Sequence, residues 1–128
     1  MKKALLLLSI CGALFIASCT KENTAPNVAY TMSIKSSDWV SINGGKTDTV
    51  VRTVPINTSI LNFGDVIISV TFDGGNFYEP LPYVLDNINY SYTYTTGEII
   101  LYAQSVDGTQ ITTPPPPFNA KILIVSAQ

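Results

Sequence analysis

A two-residue alternation between residues 88 and 95 constrains the fold of this chain more than any other pattern. Apolar and aromatic side chains occupy every second position and small polar ones stand between them, as Ile88, Tyr90, Tyr92 and Tyr94 against Asn89, Ser91, Thr93 and Thr95. This period is typical of an antiparallel strand with one covered and one solvated face. Gly97 then favours a turn into a second strand at residues 99–104, so the segment predicts a β-hairpin.

Short segments rich in β-branched and aromatic residues recur along the rest of the chain, separated by turn residues. They predict further strands at residues 28–34, 39–42, 49–55, 65–72 and 118–125. The paired glycines Gly44 and Gly45 favour a turn with positive φ. Residues 79–85 contain Pro80 and Pro82, which cannot donate to a ladder. That segment is therefore predicted to be an edge strand or an irregular crossing segment.

Two other segments are not predicted as strands. Residues 58–63 favour a single helical turn, with Asn57 or Thr58 as its cap and Gly64 as its stop. Residues 114–117 are all proline, which predicts a stiff extended loop, with docking on a partner's aromatic groove as the alternative. About eight short strands and no long helix predict an all-β fold, a single antiparallel β-sandwich that is immunoglobulin-like or another Greek key.

The N-terminus has the parts of a secretory signal. Lys2 and Lys3 precede an apolar stretch at residues 4–16, which is too short to span a bilayer. The next residues, Ile16, Ala17, Ser18 and Cys19, resemble the lipobox of bacterial lipoproteins. In that family the cysteine thiol receives diacylglycerol and the chain is cut before it. The resemblance implies a lipoprotein signal peptide at residues 1–18, a lipidated tether at 19–27 and a β-sandwich domain at 28–128.

This resemblance also implies a location. Two or more acyl chains give a stable anchor, so the membrane is the expected partner through the lipid on Cys19. Thr20 follows the cysteine, where an aspartate retains many lipoproteins in the inner membrane. We therefore expect the cell outer membrane, with the domain facing the periplasm or the cell surface.

Composition excludes several chemistries. The chain has no histidine, Cys11 lies in the predicted signal peptide, and Cys19 is assigned to the lipid. The common zinc sites, cysteine nucleophiles, serine triads and an internal disulfide are thereby excluded. Without Lys2 and Lys3, five cationic residues face nine acids, a formal charge of −4 that disfavours nucleic acid. We expect no catalytic residue, no cofactor and no metal.

A second resemblance covers most of the predicted domain. A helical turn before a strand, at residues 58–64, is followed by the segment Leu81, Pro82, Tyr83 and by a closing strand at 118–125. This plan is similar to that of a group of small secreted β-proteins and lipoproteins of Gram-negative bacteria. The shared motifs are structural, and the resemblance implies no activity.

The tyrosine row is the main candidate binding feature. Tyr90, Tyr92 and Tyr94 can form an aromatic platform for sugar rings, or they can form the covered face of the sandwich. Their polar neighbours already supply a solvent face, which favours the covered position.

Acidic residues offer weaker candidates. Asp73, Asp86 and Asp107 lie at predicted turns, where such side chains cap the backbone. Asp86 with Asn87 and Asn89 offers oxygens to calcium, but the spacing does not match an EF-hand loop. Glu79 and Glu98 offer a pair of carboxylates for glycoside hydrolysis, although nothing in the sequence sets their separation.

These observations lead to one functional hypothesis and one alternative. We expect a lipid-anchored, non-enzymatic accessory or adhesion-like binding module, with a glycan or an envelope protein as its partner. The alternative is a structural or assembly protein that contacts other envelope proteins through a strand edge.

Overall fold

The chain forms two antiparallel β-sheets that pack as a sandwich, so the predicted fold is confirmed. The computed structural model describes residues 26–127, so Cys19, the signal peptide and most of the tether lie outside the described residues. The strands are β1 (Val28–Ile34), β2 (Val40–Ile42), β3 (Thr47–Thr53), β4 (Asp65–Thr71), β5 (Glu79–Pro80), β6 (Tyr83–Leu85), β7 (Ile88–Thr95), β8 (Glu98–Ser105) and β9 (Phe118–Val125). Helix α1 covers Thr58–Phe63, and 3₁₀ turns cover Ser36–Asp38 and Asn43–Gly45.

The first sheet has the order β1-β9-β4-β5 and the second has the order β2-β3-β8-β7-β6. The chain crosses between the sheets at β1–β2, β3–β4, β5–β6 and β8–β9. In immunoglobulin domains the first strand pairs with the second, whereas here β1 pairs with the last strand, β9. Among residues 26–127 there is no helix long and apolar enough to cross a membrane.

The strands differ from the predicted ones mainly at two places. Residues 79–85 divide into β5, at the edge of the first sheet, and β6, at the edge of the second. The segment therefore supplies two edge strands and also crosses from one sheet to the other. The third strand begins at Thr47 rather than at residue 49, because Thr47 and Asp48 pair with Gln104 and Ala103 of β8. It ends at Thr53, after which the Val54 amide donates to the Gly97 carbonyl.

The sandwich has two ends, which we name the helix pole and the loop pole. The helix pole contains the start of β1, the segment 54–64 with α1, the turn at Gly97 and the end of β9. The loop pole contains the turns at residues 43–46, 72–78 and 86–87 and the long loop 106–117. The chain therefore enters the fold at the helix pole.

The helix pole is closed by backbone contacts. Of the two predicted caps, Asn57 is the one that caps α1, its side chain accepting a hydrogen bond from the Ile60 amide at 2.9 Å. The Gly97 amide donates to the Ile56 carbonyl, and Gly64 lies against the Val125 carbonyl oxygen with no room for a Cβ atom. The Asn27 side chain accepts from the Ser126 amide, which holds the residue before β1 beside the residue after β9.

Candidate functional site

The tyrosine row faces inward, towards the core, rather than forming an exposed platform. Tyr90 is 2% exposed and packs among Trp39, Phe72 and Phe118, with ring centroids 5.3 to 6.4 Å from its own. Tyr92 and Tyr94 are partly buried and stack on each other at 6.5 Å. Because the three rings are covered by the opposite sheet, they present no continuous surface on which a sugar can stack.

The three phenol groups differ in their hydrogen bonding. The Tyr92 hydroxyl donates to the Val66 carbonyl at 2.7 Å, and the Tyr94 hydroxyl donates to the Asp65 carboxylate at 3.2 Å. The Tyr90 hydroxyl has no hydrogen-bond partner in the part of the chain that the structure describes. Burial, with a smaller effect from the charge of Asp86, raises the pKa of Tyr90 to about 12. Tyr90 and Asp86 both line a cavity at the loop pole.

A cavity of about 310 Å³ opens at the loop pole directly beside Tyr90. One wall is the turn at residues 86–87, and the opposite wall is residues 109–116 of the long loop. Within those walls Leu85, Ile88 and Ile111 are apolar, and the prolines 114–116 add ring faces. The walls thus combine hydrogen-bonding groups, among them the carboxylate of Asp86, with apolar faces. This volume lies at the lower end of the range for ligand pockets.

The long loop is held in place by its own polar groups. Asp107 accepts hydrogen bonds from the Ser105 hydroxyl and from the amide and hydroxyl of Thr109. These bonds, with Thr109 contributing most, hold the pKa of Asp107 well below its usual range. Gln110 donates to the Gly44 carbonyl at 3.0 Å, and the Ile111 amide donates to the Gly45 carbonyl. Hydrogen bonds within the loop and to residues 44–45 therefore fix one wall of the cavity.

The facing turn and the proline run are also ordered. Asp86 and Asn87 both have positive φ, 50° and 64°, as a two-residue hairpin turn between β6 and β7 requires. The Asn87 carbonyl accepts from the Val106 amide, which joins this turn to the long loop. Pro115 is buried, while its proline neighbours are exposed. The run is thus a stiff loop with one ring set into the protein.

Other acidic residues do not converge on a site. Asp73 caps its own turn, accepting from the Phe77 and Asn76 amides and the Thr71 hydroxyl, and these bonds lower its pKa. Asn89 faces the outer surface of the second sheet, away from the turn that holds Asp86. Within residues 26–127, no three acidic or other metal-ligating side chains are close enough to hold an ion.

The two glutamates considered as a hydrolytic pair are not brought together. Glu79 lies on β5 of the first sheet, paired with Val70, and Glu98 begins β8 of the second sheet at the helix pole.

Two further buried polar groups, on Trp39 and Asp48, were not predicted from the sequence. The Trp39 indole N–H is fully buried and has no hydrogen-bond partner in residues 26–127. Asp48 is 5% exposed, and its burial raises the pKa of the carboxyl, an effect that a hydrogen bond with Ser41 partly offsets. The sequence does contain a signal for Asp48, because it lies two residues before Val50 and so on the inward side of the same strand. No local signal identifies the unpartnered hydroxyl of Tyr90.

The sheet edges form a second feature of interest. Three of the four edge strands are short: β5 has two residues, and β2 and β6 have three each. The fourth, β1, has seven residues, none of them charged and none of them proline. Short or charged edges resist pairing with other chains, whereas a long uncharged edge is a template for it.

The chain matches no known protein family, no curated protein and no solved structure. Function therefore has to be inferred from the cavity, the β1 edge and the positions of the two poles.

Proposed function

We propose that this protein is a lipid-anchored binding module of the bacterial cell envelope, which holds the cavity at its loop pole away from the membrane. The observation that carries the proposal is that the chain enters the domain at the helix pole, opposite the cavity. A lipid on Cys19 then makes the helix pole the end nearer the bilayer. The proposed role is non-enzymatic, as an accessory or adhesion-like module of the outer membrane.

Dimensions support this arrangement. Nine residue steps separate Cys19 from Val28, and a fully extended chain of that length reaches about 30 Å. Strand β9 has eight residues, which corresponds to a domain about 26 Å long between its poles. The loop pole would then stand up to about 55 Å above the bilayer surface, beyond the lipid headgroups.

The anchor is tested by feeding cells an alkyne fatty acid and comparing cysteine variants. We expect wild type and Cys11→Ala to incorporate the label, because Cys11 lies in the segment that is removed. Cys19→Ala should incorporate none and should leave the membrane fraction. Equal labelling of Cys19→Ala and wild type would contradict the anchor.

The orientation is tested with single thiols. Processing and lipidation would leave the mature protein without a free cysteine, so an introduced one can be labelled alone. A fluorophore is attached at Phe63→Cys, at the helix pole, or at Val106→Cys, at the loop pole; the native side chains are 78% and 57% exposed. In vesicles with spin-labelled headgroups we expect strong quenching at position 63 and weak quenching at 106. Equal or reversed quenching would contradict the orientation.

The β1 edge favours a second candidate function, the assembly of envelope proteins by strand addition. An extended segment of a partner can continue the first sheet beside β1, since main-chain hydrogen bonds give affinity without special side chains. The inward side chains Tyr30, Met32 and Ile34 would supply the apolar contacts on one face of the added strand.

This candidate is tested by photocrosslinking in living cells. A photoreactive residue at Ala29, on β1, should give one discrete protein adduct. The same photoreactive residue placed at Val51 should give none, because Val51 lies on β3, which is paired on both sides within the second sheet. Adducts of equal yield at both positions, or no adduct at Ala29, would exclude an edge-specific partner.

A further inference from the structure

The Tyr90 hydroxyl is the one polar group of the tyrosine row that no described residue satisfies. Tyr90 is 2% exposed, and buried polar groups in native proteins almost always have a hydrogen-bond partner. Its oxygen is not among the fully enclosed unpartnered atoms of the described chain, although the residue lines the cavity. The hydroxyl is therefore directed at the cavity, where a ligand or a water molecule completes its bonding.

Charge restricts what the cavity can hold. The lining of the cavity contains no lysine or arginine, and its one ionised side chain, Asp86, is exposed at the rim. An anion would find no opposite charge and would be repelled by Asp86. A cation would gain only one exposed carboxylate, and an exposed ion pair contributes little. A neutral ligand meets neither difficulty.

The shape and chemistry of the walls narrow the class further. Ile88 and the prolines contribute apolar faces to the lining, and Thr109, Thr113 and Gln110 contribute two hydroxyls and an amide. A sugar ring has the complementary design, with apolar C–H faces and a rim of hydroxyls that donate and accept. Because Gln110 and Thr109 are already held by Gly44 and Asp107, little side-chain entropy is lost on binding.

We propose that this cavity binds a neutral sugar unit of a glycan, with the Tyr90 hydroxyl as its deepest hydrogen-bond partner. This inference rests on the proposed function in one respect: the lipid anchor and the orientation of the domain would present the cavity to envelope glycans. It differs from the aromatic platform considered from the sequence, because Tyr90 acts through its hydroxyl and not through its ring face.

Trp39 provides a reporter for the test. It is the only tryptophan in the chain, and its ring lies 6.4 Å from that of Tyr90. The lipidated protein in detergent micelles is titrated with three sugars of one ring size and different charge: N-acetylglucosamine, glucosamine and glucuronic acid. We expect a saturable change of tryptophan emission at millimolar N-acetylglucosamine, and affinities at least tenfold weaker for the two charged sugars.

Two variants assign the contact. Tyr90→Phe removes the hydroxyl and keeps the ring in the core, and it should weaken binding fivefold to tenfold, the effect of one lost hydrogen bond. Tyr102→Phe is the matched control, since its hydroxyl contacts Thr93 on the outer face of the second sheet, and it should bind as wild type does. Thr113→Val, on the exposed loop, carries the test should Tyr90→Phe fail to fold.

Three results would overturn the inference: no saturable response to the neutral sugar, equal or tighter binding of a charged sugar, or unchanged affinity in both Tyr90→Phe and Thr113→Val. The anchor and orientation experiments use labels and lipids without any sugar. A silent titration with a correctly oriented protein would thus reject this ligand class alone.

Discussion

The helix pole and the loop pole close the same sandwich in opposite ways. At the helix pole, backbone groups satisfy one another, as between Val54, Gly97 and Ile56, and Gly64 packs directly on the backbone of β9. At the loop pole, long side chains and loops cover the core, and they leave a cavity, a buried indole N–H on Trp39 and an unpartnered hydroxyl on Tyr90.

This difference separates the pole that mainly stabilises the fold from the pole at which we propose binding. A closed end with satisfied backbone groups stabilises the fold and offers no polar group to a ligand. Unsatisfied polar groups cost stability, and proteins commonly retain them where function needs them. The comparison predicts that substitutions at the helix pole change mainly the free energy of unfolding. Substitutions at the loop pole should instead change the ionisation and hydrogen bonding of buried side chains.

The largest effect is expected from the same substitution made at each pole. In Gly64→Ala the new methyl group overlaps the Val125 carbonyl and lies 3.1 Å from the Ile60 backbone, so neither neighbour can yield easily. We expect a loss of about 3 kcal/mol or more in the free energy of unfolding, measured in urea.

Gly74→Ala is the matched change at the loop pole. Gly74 has φ of 76° and nothing within 4 Å of the added methyl group, so only the left-handed backbone is penalised, by about 1 kcal/mol. Equal losses for the two variants would show that the helix pole is not closed as tightly as its geometry indicates.

Local patterns account for the parts of the fold that were predicted correctly. Val28–Ile34, Ile88–Thr95 and Phe118–Val125 were predicted with their observed bounds because each has its own strand pattern and turn residues. Pairing between distant segments could not be predicted, since nothing local specifies that β1 lies beside β9. The cavity escaped prediction for the same reason, because its walls come from a hairpin turn and a loop more than 20 residues later.

A smaller effect is expected from Tyr90 at alkaline pH. Its folded pKa of about 12 lies above the ordinary value of 10.0, so the neutral phenol favours the folded state. This contribution is complete below pH 10 and is lost as the pH rises towards 12. Because the hydroxyl opens on the cavity, solvent screens it and reduces the total to about 1 to 2 kcal/mol. Tyr90→Phe should therefore lose less unfolding free energy than wild type between pH 9 and 11.5, measured in urea.

The control for this prediction is Tyr102→Phe, which removes a hydroxyl from the outer face of the second sheet. It should follow the wild-type curve over the same pH range. If Tyr90→Phe and wild type lost stability in parallel, the phenol would not be buried in the way that its 2% exposure indicates.

The smallest effect concerns Asp48, the buried carboxyl on the inner face of β3. Because burial raises its folded pKa above 3.8, the protonated form favours the fold. Its stabilising contribution is present below pH 3.8 and is lost as the pH rises through the folded pKa. Asp48→Asn keeps the shape and the bonding to Ser41 without the charge, so it should raise the melting temperature at pH 7 by a few degrees and by less at pH 3.

Asp73→Asn is the comparison variant, and its expected effect has the opposite sign. Because hydrogen bonds lower the pKa of Asp73, this substitution should lower the melting temperature at pH 7 more than at pH 3. A stabilising Asp73→Asn, or an Asp48→Asn gain that did not shrink in acid, would mean that burial and capping do not set these two carboxyl groups apart.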